Sequence, residues 1–175
     1  MFSADVDINK MTMTEVLHSA LVNEKGASDA YKELSQIFGI ANKPILERVF
    51  IEMSNVEKGH YKRLLKALSC YEDQEVFSED EAAWTTSETL LRLETEGISD
   101  EIDLDGMDMK EAVDLFKNNE KDSEAFYLSA AQKTERKDLQ ALFKNLAEEE
   151  AKHHRLINKI VTHALMRGHT PQRQV

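Results

Sequence analysis

The chain has 175 residues, with 33 Asp and Glu against 22 Lys and Arg, for a formal net charge of −11. That length suits a single domain, spanning 1–175, with its own core, and 41% hydrophobic with 31% charged residues excludes a disordered tail. The acid surplus argues against a nucleic acid or an anionic membrane surface as partner, and the single Cys70 excludes an intrachain disulfide or a four-cysteine metal site.

The opening stretch, MFSADVDINK, lacks the basic start and apolar run of a signal peptide, and no apolar segment approaches the about 20 residues of a membrane span. A cytoplasmic location is therefore expected. Six Gly and two Pro leave strand punctuation missing, and helical periodicity takes its place. The first helix is expected over about 12–39, opened by Thr12 with Glu15 three residues on, a capping-box spacing. Its stripe runs Leu17, Ala20, Glu24, Ala27, Tyr31, Leu34, Phe38. The second covers about 43–68, with Asn42 as cap, Pro44 in the first turn, and a stripe of Leu46, Phe50, Met53, Glu57, His60, Leu64, Leu68.

Residues 69–107 follow, too long for a tight connection. They hold material for a short fifth helix, with Ser78 and Glu81 at capping-box spacing and Gly97 as a stop. The third main helix is expected over about 108–134, with a stripe of Met109, Val113, Phe116, Glu120, Ser123, Tyr127, Ala131. The fourth runs over about 138–166, with Leu139, Phe143, Leu146, Glu150, His153, Ile157, Ile160, Ala164 in line and Gly168 past its end. Short turns within each pair predict two antiparallel hairpins. An all-α, four-helix bundle with one long crossover, the ferritin-like arrangement, fits this order.

The informative residues are the polar ones inside the stripes. Glu24, Glu57, Glu120 and Glu150 each fall near the middle of a helix, so an up-down bundle brings them to one level. In Glu57-Lys-Gly-His60 and Glu150-Ala-Lys-His153 the partners stand three apart, about 60° of arc and 4.5 Å of rise, and so reach one point. Four buried, unpaired carboxylates would cost several kcal/mol apiece. Two divalent cations cancel that charge and use both imidazoles as neutral donors. Oxygen and nitrogen donors without sulfur point to iron or manganese before zinc. One such Glu, or a Glu-x-x-His pair alone, is a weak signal in a chain this acidic. One Glu per helix with the His pairs on alternate helices is a strong one, and matches the ligand pattern of di-iron carboxylate bundles.

The halves also repeat. Glu24 precedes Tyr31 by seven residues, Glu120 precedes Tyr127 by seven, and each half continues to its Glu-x-x-His. Two readings of the tyrosines stand: core aromatics with a hydroxyl to satisfy, or phenols that donate to metal ligands and guard the metals against stray oxidation.

This doubled Glu-x6-Tyr plus Glu-x-x-His pattern resembles the rubrerythrin branch of the ferritin-like superfamily, over about 12–68 and 108–166. The resemblance implies Glu24, Glu57, His60, Glu120, Glu150 and His153 as ligands of two iron ions, with manganese or zinc as alternatives. It implies reduction of peroxide or dioxygen, or oxidation of ferrous iron, and a homodimer. Rubrerythrins carry a four-cysteine rubredoxin domain. With one cysteine here, electrons would come from an external donor. The family's further Glu, one turn before its third-helix ligand, is replaced by Lys117, and Glu124, one turn after Glu120, is a candidate substitute or supporting carboxylate. Iron storage and a non-enzymatic metal-binding bundle are the competing readings.

Weaker signals have plainer explanations. Glu101-Ile-Asp-Leu-Asp105-Gly106 has the start of a calcium loop, but position twelve is Ala112 where a bidentate acid is required. His18, His154, His163 and His169 lack a partner pattern, Glu148 and Glu149 read as a solvated face, although Glu149 stands close enough to Glu150 to compete with it, and Cys70 reads as a packed thiol. Residues 69–107 hold 13 acids and one base, Arg92, while the rest holds 20 acids and 21 bases. The acidity belongs to the crossover, either as a solvated connection or as a means of concentrating cations near the bundle.

Overall fold

In the computed structural model, residues 7–78 and 107–167 are described. After a 3-10 turn at Ile8–Lys10 come four helices: α1 (Met13–Ile40), α2 (Pro44–Glu72), α3 (Met107–Lys133) and α4 (Lys137–Arg167). They pack most closely as two hairpins, α1 with α2 and α3 with α4. The expected fifth helix and the calcium-like loop fall outside the described residues.

Local chemistry explains the helix ends. At the start of α1 the Glu15 amide donates to Thr12 Oγ1 at 3.2 Å while Glu15 Oε2 accepts from the Thr12 amide at 2.6 Å, a reciprocal capping box. The first turn between helices corrects one expectation. Asn42 does not cap α2; Lys43 stands at that position without a side-chain cap, and Pro44 opens the helix. Asn42 instead closes α1, with φ at 55°. Its amide donates to Gly39 O and the Lys43 amide to Phe38 O, the paired bonds that finish a helix through a left-handed residue. Asparagine serves there because its short polar side chain tolerates that conformation. Gln74, at φ 58°, ends α2 in the same way, with Glu75 donating to Cys70 O at 2.8 Å.

Every described position in the four stripes is buried, the six Glu and His included. Two apolar clusters result. One contains Leu17 and Ala20 of α1, Leu64 and Leu68 of α2, Tyr127 of α3 and Leu139 and Phe143 of α4. The other contains Leu34 and Phe38, Leu46 and Phe50, Val113 and Phe116, and Ile157 and Ile160. The first cluster therefore gathers the start of α1, the end of α2, the end of α3 and the start of α4. The second gathers their opposite ends. Hence α2 finishes at one end of the bundle and α3 begins at the other, which is why a tight turn cannot join them. The polar side chains occupy the level between the two clusters.

Candidate metal centre

Mid-helix placement and the stripe register bring all six predicted side chains together. Glu24, Glu57, His60 and Glu150 form one group, and Glu57, Glu120, Glu150 and His153 a second, all six residues buried. His60 Nδ1 lies 3.2 Å from Glu24 Oε2, 3.0 Å from Glu57 Oε2 and 2.9 Å from Glu150 Oε1. His153 Nδ1 lies 3.0 Å from Glu57 Oε1, 3.3 Å from Glu120 Oε2 and 3.5 Å from Glu150 Oε2. The two groups thus share Glu57 and Glu150, each of which turns one oxygen to either histidine. Glu24 and Glu120 each belong to one group. The two imidazoles lie nearly parallel, 5.6 Å apart.

These separations fit metal ligation. Donor atoms about 2.1 Å from a common ion, at right angles to each other, stand about 3.0 Å apart. Glu57 Oε1, Glu120 Oε2, Glu150 Oε1 and His153 Nδ1 are buried without a hydrogen-bond partner. Four such atoms aimed into one space are costly without a cation. The remaining oxygens of Glu24 and Glu120 are not orphaned. Tyr127 donates to Glu24 Oε1 and Tyr31 to Glu120 Oε1, so each phenol holds the carboxylate of the other half. Both tyrosines are fully buried. Burial first, and then the neighbouring carboxylates, push both phenols well above their usual range, so they remain donors.

The ionisable groups show the strain of assembling charge in a dry interior. Burial, then Glu150 and Glu57, raise Glu24 well above the usual carboxyl range, and burial with Glu150 does the same to Glu120. Burial opposes ionisation of Glu57 as well, but His60 and His153 on either side hold it well below that range. Both histidines are held well above theirs against burial, His60 mainly by Glu57 and Glu150. The same carboxylates thus favour positive charge on both imidazoles.

The pairing of Glu149 with Arg63 beside His60 escaped the reading of the sequence. Glu149, expected on a solvated face, is half-buried: its Oε2 lies 2.8 Å from His60 Nε2 and it is paired with the buried Arg63. Burial works against its charge, yet His60 and Arg63 bring its carboxyl down to about 2. The available signal was Arg63 itself. It stands three residues beyond His60 on the Glu57–His60 face, where a cation among stripe residues calls for an anion. Glu124 stands in neither group; it is half-buried, and its charge acts on His154 instead. Smaller polar links tie the helices together, among them Asn23 to Ser123 at 3.0 Å and the reciprocal hydroxyl-to-carbonyl bonds of Ser28 and Ser54.

A four-helix bundle whose interior carries two interlocked, buried Glu and His groups, consistent with a binuclear metal site, is of the ferritin-like type. The rubrerythrin family model matches residues 15–116 and 116–166, and the chain belongs to the rubrerythrin family. Comparison with curated proteins and with solved structures returns no significant match. No helix among the described residues is long and apolar enough to cross a membrane.

Proposed function

We propose that the chain is a di-iron oxidoreductase of rubrerythrin type that reduces peroxide or dioxygen with electrons from an external donor. The observation that carries this reading is the sharing of Glu57 and Glu150 between the two groups, since one carboxylate facing two positions holds two metals close together. Glu24 and His60 would complete one position, Glu120 and His153 the other. Iron held as a pair supplies two electrons to one oxidant, the number needed to split a peroxide bond.

The chain's own residues set the conditions. Tyr31 and Tyr127 each fix one oxygen of a terminal carboxylate, leaving the other for the metal. The apolar clusters above and below keep bulk water from the centre. The single Cys70 leaves reduction to a partner, because no four-cysteine electron-transfer centre can form within the chain.

A second reading takes ferrous iron as substrate, to be oxidised and passed on. The concentration of acid in 69–107 favours it, since an anionic segment raises the local cation concentration. Metal analysis of protein from iron-replete cells, combined with peroxide decay under a chemical reductant, separates the two. About two irons per chain and rapid peroxide loss are expected. Fast ferrous oxidation with negligible peroxide turnover would select the second reading, and protein without bound metal would overturn both.

A further inference from the structure

The two halves correspond helix by helix in the sequence: Glu24 with Glu120, Tyr31 with Tyr127, Glu57 with Glu150, His60 with His153. The surroundings of the two histidines break that symmetry. The place that Glu149 holds in α4 is held in α2 by Val56, and the place of Arg63 in α2 is held in α4 by Leu156, both buried. His60 presents Nδ1 to the carboxylates and places Nε2 2.8 Å from Glu149 Oε2, an ion-pair contact not aligned as a hydrogen bond, and Arg63 pairs with that same oxygen. Among the described residues, the ion-pair contacts of His153 all run through Nδ1.

A histidine ligand is a better donor when its far nitrogen gives a proton to a fixed carboxylate. That bond selects the tautomer, fixes the ring plane and raises basicity. Arg63, 6% exposed, pairs with the Glu149 carboxylate and orients it, although that side chain is still 27% exposed. Val56 and Leu156 supply neither a carboxylate nor an anchor at the mirrored place.

Building on the dinuclear reading above, we propose that Glu149 and Arg63 are positioning residues for the His60 metal position alone. The position bounded by Glu24, Glu57, His60 and Glu150 therefore binds its ion more tightly and fills first. The position bounded by Glu57, Glu120, Glu150 and His153 fills second and empties first. The centre is chemically two-sided although its inner ligand set is nearly symmetric.

The test is a titration of the metal-stripped full chain with cobalt(II), read by visible absorption and by bound metal at dialysis equilibrium. The parent chain should load in two steps separated by at least about tenfold in affinity. His60→Ala should abolish the tight step, and His153→Ala the weak one. Glu149→Gln should weaken the tight step by about 10–100-fold and leave the weak step in place, so that the two merge. Arg63→Lys, which keeps the charge, should fall between parent and Glu149→Gln; circular dichroism of each variant shows whether the fold is retained. Two equal steps in the parent chain, loss of the tight step in His153→Ala, or equal weakening of both steps in Glu149→Gln would overturn the inference while leaving the dinuclear centre standing. No bound cobalt at all would sink the dinuclear reading, and this one with it.

Discussion

At the scale of single residues, the distinction that matters is between carboxylates that face both metal positions and those that face one. Glu57 presents one oxygen to each histidine at 3.0 Å, whereas Glu24 presents one oxygen to His60 and gives the other to Tyr127. Removing a shared ligand should therefore cost both ions and removing a terminal ligand only one. Glu57→Ala is expected to retain almost no iron after gel filtration, and Glu24→Ala about one ion per chain, by elemental analysis. Equal retention in the two variants would show that the sharing seen in the geometry does not govern binding. The buried tyrosines belong to this scale too. Their spacing in the sequence left two readings, core aromatic or donor to a ligand, and their hydroxyls hold the terminal carboxylates across the halves. Spacing along one helix cannot reveal a bond to another helix, so the crossed pairing of Tyr31 with Glu120 and Tyr127 with Glu24 was not legible beforehand.

Among the elements, the stripes were the most legible feature, because burying an amphipathic face demands a period that no surface constraint disturbs. Helix ends were less so. Asn42 has the side chain of an N-cap, and only its left-handed φ shows that it terminates α1. The approach to α4 holds another polar device that periodicity does not expose. Asp138 accepts from the Leu139 amide and from the Phe77 amide at 2.9 Å, and is paired with Arg136. Arg136 in turn donates to Glu75 O at 2.5 Å and lies over the Tyr71 ring. The carboxylate thus joins the chain leaving α2 to the first turn of α4. The Arg136 bond is the leading cause that lowers Asp138 from 3.8 to about 2. A carboxyl depressed by folding stabilises the protein above its unfolded value and loses that contribution as pH falls through the folded one. Urea stability measured from pH 4 down to pH 2 should accordingly fall more steeply in the parent chain than in Asp138→Asn. Parallel curves would mean that the clamp adds nothing to the folded state.

For the whole molecule, neither hairpin can build a metal position by itself. Glu24, Glu57 and His60 come from the first hairpin and need Glu150 from the second; Glu120, Glu150 and His153 need Glu57. Since the helices pack most closely within each hairpin, bound metal fastens together the two halves that packing joins least. Free metal at about 100 times its dissociation constant should add about 2.7 kcal/mol to the unfolding free energy at neutral pH. Urea curves with and without a chelator measure this, and Glu57→Ala should show no such difference. A parent chain indifferent to metal would remove the ions from the account of stability. The acidic crossover was legible as composition, 13 acids and one base over 69–107.

The doubled pattern has a consequence for how such a centre can change over time. A hairpin carrying one Glu, one Tyr and one Glu-x-x-His, set against a second copy of itself, would already assemble both groups, with each copy bound to obey the same sequence. Once the long connection makes the two copies parts of one chain, that obligation ends. Val56 and Glu149, or Arg63 and Leu156, are then free to differ while the inner ligands stay matched. Covalent joining thus turns a symmetric pair of metal positions into two that selection can adjust one at a time.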